Sequence, residues 1–263
     1  MSRPINELFS RLVKEADEFM NFDGNIEDYD FGDRLVGYSS KRAFPDMILR
    51  DGGMIEVKDS KSSTMTSFNS TYPSGEKSIV DLEEITGKTK RSMRESLEEA
   101  EESPDFSKKR DVYYLIRTNR NDIPTVSFVH GSYFGDSESS AISETIGEVL
   151  KEIRPSVDEE RYDELLDIID DEEYVRKHFS QTRKTSTGVK IRYRIMYEVD
   201  NDLNPNQHPE VPSGALSLVV PESEYESTEE FGSRIDAEVE TSRIKHAYPE
   251  REDVFYVAVS RAE

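Results

Sequence analysis

The chain has 263 residues, with 34 Lys and Arg against 56 Asp and Glu, a formal charge of -22 at pH 7, and no cysteine. The missing thiols exclude disulfides and thiolate metal sites, and no run approaches the roughly eighteen apolar residues that a membrane span needs. Met1-Ser2-Arg3-Pro4 leads into an amphipathic pattern without a secretory apolar core, so a soluble cytoplasmic protein large enough to bury a sizeable core is expected.

Ile5, Leu8, Phe9, Leu12, Ala16, Phe19 and Met20 recur at helical spacing, which predicts an amphipathic helix over 4–20. A polar connection follows over 23–33. Residues 34–38, 44–49 and 53–59 then read as three strands of a meander, and 60–77, rich in Ser and Thr, as a loop. A helix is predicted over 82–102, ended by Pro104. The next strands are 112–118, an apolar run suited to a sheet interior, and 125–131. Beyond them 138–152 and 157–172 read as helices. The remainder reads as strands over 189–199, 214–220 and 253–260, with turns at Asn204-Pro205 and His208-Pro209.

The most informative stretch runs from Phe44 to Lys58. It reads as two short apolar strands joined by a glycine turn, with Pro45-Asp46 opening the first and Glu56-Val57-Lys58 closing the second. Side chains alternate along a strand, so Glu56 and Lys58 share a face while Val57 points to the other. For Asp46 to meet Glu56, residue 47 must pair with 55, 48 with 54 and 49 with 53. That register leaves Arg50-Asp51-Gly52 as the loop, and a loop of this length favours a left-handed residue, for which Gly52 is suited. A shorter loop at Asp51-Gly52 would set Asp46 against Val57, on the wrong face. Two carboxylates beside one lysine make a hard-cation site suited to hydrolysing a phosphodiester with Mg²⁺ and water. A surface hairpin carrying a salt bridge is the competing reading. Glu56-x-Lys58 has one rival of its kind, the adjacent Asp59-x-Lys61, and Pro45-Asp46 has one, Pro104-Asp105, which no such triplet follows.

The negative charge argues against nucleic-acid binding unless it has another purpose. The acids are spread along the chain rather than gathered in a tail. This resembles the proteins of salt-accumulating haloarchaea, where molar salt shortens the Debye length to about 3 Å. Against this background Arg176, Lys177, Arg183, Lys184, Lys190, Arg192 and Arg194 form an acid-free basic stretch interleaved with Ser, Thr and Gln, which suits phosphates and base edges. Lys88, Lys90, Arg91 and Arg94 read instead as a solvated helix face with partners such as Glu95. His130, His178, His208 and His246 show no ligand spacing and read as ordinary surface or packing residues.

The segments 45–50, 55–58 and 68–73, and more weakly 110–116 and 191–194, resemble the core of NgoPII-type type II restriction endonucleases of the PD-(D/E)xK nuclease superfamily. The segment preceding the motif is short for that family. The resemblance implies an α/β fold, a mixed central sheet flanked by helices, with a C-terminal α+β extension. Residues 1–135 would be the catalytic core and 136–263 the extension, supplying DNA contacts and possible dimerisation within one compact unit. It implies Mg²⁺-dependent cleavage of double-stranded DNA at a short GC-rich palindrome such as GGCC, by a homodimer paired with a cognate methyltransferase. Asp46, Glu56 and Lys58 fall on the catalytic triad, with Asp46, Glu56 and the Val57 carbonyl as metal ligands. Asn69, Ser70, Arg183, Lys184, Lys190, Arg192 and Arg194 are the DNA-binding candidates. Glu7 stands where related nucleases place an extra acidic ligand, although a solvated helical Glu is the plainer reading. A repair or junction-resolving nuclease on the same core, and a non-catalytic acidic binding protein, are the alternatives.

Overall fold

A computed structural model describes residues 3–32, 35–38, 44–65, 75–77, 110–135, 151–152, 154–156, 158–170, 182–184, 187, 190–192, 198–246 and 251–261. The helices expected over 82–102 and most of 138–152 lie outside them. The chain divides into two compact units, one formed by 1–66, 73–134 and 199–263, the other by 67–72 and 135–198.

The first unit is built on a mixed sheet. Its strands are β1 (Leu35–Tyr38), β2 (Met47–Leu49), β3 (Met54–Asp59), β4 (Glu76–Lys77), β5 (Arg110–Arg120) and β6 (Ile123–His130). The sheet continues through β9 (Ala215–Pro221), β10 (Glu240–Lys245) and β11 (Val254–Arg261). The order is β1-β2-β3-β5-β6-β9-β11-β10, with β4 pairing the start of β5. The β3–β5 and β6–β9 pairs are parallel and the other pairs antiparallel. The sheet thus draws strands from both sides of residue 135. β10 was not expected from the sequence, because its Glu240-Thr-Ser-Arg-Ile-Lys carries a single buried residue, Ile244. Edge strands bury one face at most, so their hydrophobic pattern is thin.

Register sorts the side chains into two layers. Val57, Leu115, Phe128, Leu218 and Ala258 form one row across five strands. All are buried in the main core, together with Ile55, Tyr113 and Leu216. α1 (Pro4–Lys14) and α2 (Ala16–Met20) cover this face with Ile5, Leu8, Phe9, Leu12 and Phe19. The predicted single helix is two, divided at Glu15, whose ψ of 23° departs from helical values. Pro4 opens α1, where its missing N–H costs no hydrogen bond. The opposite face carries Glu56, Tyr114, Val129, Val219 and Val257 in one row and Lys58, Ile116, Ser127, Ser217 and Val259 in the next. It is buried too: residues 112–118 and 125–130 are buried without interruption, as expected of strands covered on both sides.

Over that second face the 199–214 segment closes a polar cluster. Asn206, fully buried, donates to the Ile116 and Thr125 carbonyls and to Thr118 Oγ1, while its Oδ1 accepts from Ser127. Satisfying every polar atom in this way makes such burial tolerable.

In the second unit, α3 (Glu159–Asp170) follows a short turn, and the Arg154 guanidinium lies 5.1 Å above the Tyr162 ring. β7 (Thr182–Lys184) and β8 (Lys190–Arg192) form an antiparallel hairpin.

Candidate active site

The β2–β3 hairpin has the odd-loop register: Met47 pairs with Ile55 and Ile48 with Met54, while Leu49 N–H donates to the Gly53 carbonyl. Gly52 closes the loop with φ at +85°, a conformation that any side chain would strain. Asp51 Oδ1 accepts from Gly53 N–H and braces the turn.

This turn decides what meets at the far end. Asp46 lies just before β2, and its Oδ2 accepts from Val57 N–H at 2.8 Å, a side chain extending the ladder where the strand backbone stops. Glu56 Oε1 accepts from Lys58 Nζ at 2.8 Å, with the two side chains 15% and 5% exposed. Glu56 Oε2 is buried and has no hydrogen-bond partner. Burial and the charge of Glu56 push the Asp46 carboxyl up to about 7, with the Val57 N–H and Lys58 acting against them. Two carboxylates are therefore held together, one oxygen bare, with one lysine beside them. Such a pair is short of positive charge, and an all-oxygen donor set that includes a bare buried oxygen fits a hard divalent cation. Only the backbone of Val57 is available to such an ion, because its side chain is buried in the main core.

The rival triplet is not equivalent. Asp59 receives two hydrogen bonds from Arg117, at 2.8 and 2.6 Å, and a third from Ile26 N–H. Arg117 also donates to the Phe22 and Gly24 carbonyls, so the group ties the chain after α2 to the ends of β3 and β5. Lys61 is 81% exposed, 3.6 Å from a fully exposed Asp23.

The other expected residues fall elsewhere. Glu7 is exposed on α1, beside Arg11, Lys14 and the 233–236 turn. α1 covers the Ile55 and Val57 face, whereas Glu56 and Lys58 belong to the other, so the fold does not bring Glu7 to the carboxylate pair. Arg183, Lys184, Lys190 and Arg192 belong to the second unit's hairpin, where Lys184 pairs with Lys190 and Thr182 with Arg192. Asn69, Ser70 and Arg194 lie outside the described residues. A group that sequence spacing did not reveal is Asp111, His130 and Glu224, whose ligand atoms lie within 4.8 Å of one another.

The mixed sheet with its acid-bearing hairpin fits an α/β nuclease-like fold. The family model described as NgoPII restriction endonuclease matches residues 16–230, and the chain belongs to that family. Membership makes it a DNA-binding nuclease of the restriction endonuclease class. No curated protein and no solved structure gives a significant match. Among the described residues no helix is long and apolar enough to cross a membrane.

Proposed function

We propose that the protein is a type II restriction endonuclease with a PD-(D/E)xK core, hydrolysing double-stranded DNA at a short GC-rich palindrome, with GGCC the first site to test. The observation that carries this reading is the bare, buried Glu56 Oε2 beside Asp46, with Lys58 2.8 Å from the other oxygen. Asp46, Glu56 and the Val57 carbonyl would hold Mg²⁺. When bound, that ion would neutralise charge on the scissile phosphate and lower the pKa of a water. Lys58, held in place by its hydrogen bond to Glu56, orients the attacking water and stabilises the negative charge that develops on the phosphate. The products carry a 5′-phosphate and a 3′-hydroxyl.

The sequence offers a single Pro-Asp…Glu-x-Lys set, so cutting both strands of a palindrome calls for two chains about a two-fold axis. The basic β7–β8 hairpin is the DNA-contacting element of this reading, with Arg192 and Arg194 reading guanine. The acid-rich surface, seen on α3 in exposed Glu159, Glu160, Asp163, Glu164 and Asp167, suits work in concentrated salt alongside a cognate methyltransferase.

The test is a digest of unmethylated plasmid with Mg²⁺ across a range of KCl concentrations. Discrete fragments are expected, and methylation at the site should protect it. Cleavage confined to branched substrates would indicate a junction-resolving enzyme, and no cleavage by folded protein a binding protein.

A further inference from the structure

The sheet's α1-covered face holds a second convergence of ligand-bearing groups. Asp111 opens β5, His130 ends β6 and Glu224 lies just after β9. Tyr113 pairs with both Ile55 and His130, which places this cluster on the opposite face from Glu56 and Lys58.

The division of oxygens is the informative detail. Arg3 takes one oxygen of each carboxylate, Asp111 Oδ2 at 3.5 Å and Glu224 Oε2 at 2.5 Å. The other two, Asp111 Oδ1 and Glu224 Oε1, stand 3.7 and 3.8 Å from His130 Nε2. Those separations are too long for hydrogen bonds. His130 is 5% exposed, and its buried Nε2 has no hydrogen-bond partner. The Tyr113 hydroxyl, from the same face, is also buried without one.

Metal bonds of about 2.0–2.2 Å at tetrahedral angles set ligand atoms about 3.3–3.6 Å apart. The two separations from His130 need a contraction of only a few tenths of an ångström, and all three ligand atoms lie within 4.8 Å of one another. The surroundings hold the ring in place: Nδ1 lies 2.8 Å from Ser132 Oγ, and a Cβ on Gly75 would meet His130 Cε1 at 2.7 Å. Nδ1 also accepts from Ser132 N–H at 3.4 Å, so metal binding must select the tautomer that donates from Nδ1 to Ser132 Oγ, in which Nε2 presents a lone pair toward both carboxylates. Arg3 would then orient the two acids from behind, as outer hydrogen-bond partners of metal ligands commonly do.

We propose that Asp111, His130 and Glu224 form a site for a divalent transition metal of the zinc class, clasping the starts and ends of the strands that meet there. One imidazole nitrogen with two carboxylates favours such ions over Mg²⁺, which the all-oxygen pair at Asp46 and Glu56 suits better.

The experiment is a Co²⁺ titration of the full-length, untagged Glu56→Ala chain, in KCl that keeps it folded, followed by visible d–d absorption. One equivalent should bind with visible bands, and Zn²⁺ should displace it and raise the melting temperature. His130→Gln and Glu224→Gln, each confirmed as folded by circular dichroism, should lose the bands. Arg3→Gln should bind about 10–100-fold more weakly with the bands retained. Absence of the bands in folded Glu56→Ala protein, or unchanged affinity in folded His130→Gln, would overturn the site and leave the four side chains as a charge network. Because the titration omits the Glu56 carboxylate and measures no cleavage, its outcome is independent of the nuclease reading.

Discussion

Glu56 and Asp59 lie on the same strand, each in an acid-x-Lys triplet, yet they have opposite fates. Strand alternation turns Asp59 toward the α-helical side, where three donors saturate it, and Glu56 toward the other, where one oxygen is left bare. Two triplets of the same type therefore divide into a structural clamp and a candidate reactive centre. The lesson concerns satisfaction rather than composition. A carboxylate whose oxygens are all taken has nothing to offer a ligand, whereas one held rigid with an oxygen unused does.

Substitution separates the two roles most sharply. Asp46→Ala, Glu56→Ala or Lys58→Ala should each lower the cleavage rate by about a thousandfold or more, roughly 4 kcal/mol of transition-state stabilisation, with the fold retained. Single-turnover digestion alongside circular dichroism checks this, and ordinary cutting by the Lys58→Ala chain would remove the assignment.

Asp59→Ala should behave in reverse. It strands the buried Arg117, so a loss of about 3–5 kcal/mol in denaturant unfolding is expected, with near-normal cleavage by the molecules that remain folded. A stable Asp59→Ala protein that no longer cuts would reverse the roles given to the two acids.

The unsatisfied pair should also respond to ions, as the saturated one should not. At one hundred times its dissociation constant, Mg²⁺ should stabilise the chain by about 2.7 kcal/mol, an effect that Glu56→Ala abolishes and Lys61→Ala leaves intact. The pH dependence has a definite sign. With the Asp46 carboxyl raised to about 7, the folded state binds that proton more tightly than the unfolded state does. The metal-free fold thus loses stability as pH climbs from the ordinary carboxylate value of 3.8 toward 7. Proton and Mg²⁺ compete for the same oxygens, so the melting-temperature gain from Mg²⁺ should be larger at pH 8 than at pH 6. An equal gain at both would separate the metal from Asp46.

The smallest effect belongs to the exposed remnant of the rival triplet. Lys61→Ala should leave stability and cleavage unchanged within error, because a solvated ion pair at 3.6 Å contributes little. A measurable loss of cleavage would extend the candidate centre beyond β3.

The hairpin was legible from sequence because its determinants are local. One glycine at positive φ sets the loop, the loop sets the register, and period-2 alternation puts Glu56 and Lys58 on one face. The interior strands were legible as well, since burial on both faces leaves an uninterrupted apolar run such as 112–116. The division of the first helix at Glu15 and the polar edge strand β10 were not, because neither leaves a periodic apolar signature. His130 read as an ordinary packing residue, and nothing in its neighbourhood along the chain says otherwise. The sequence alone therefore determined the hairpin, its acid pair and the family. Only the tertiary structure decided which carboxylates are saturated, because their donors come from remote segments. Arg117 reaches back across 58 residues to Asp59, and Arg3 reaches Glu224 across 221. Such pairings follow from how the strands are ordered in the sheet, which no local pattern of residues encodes.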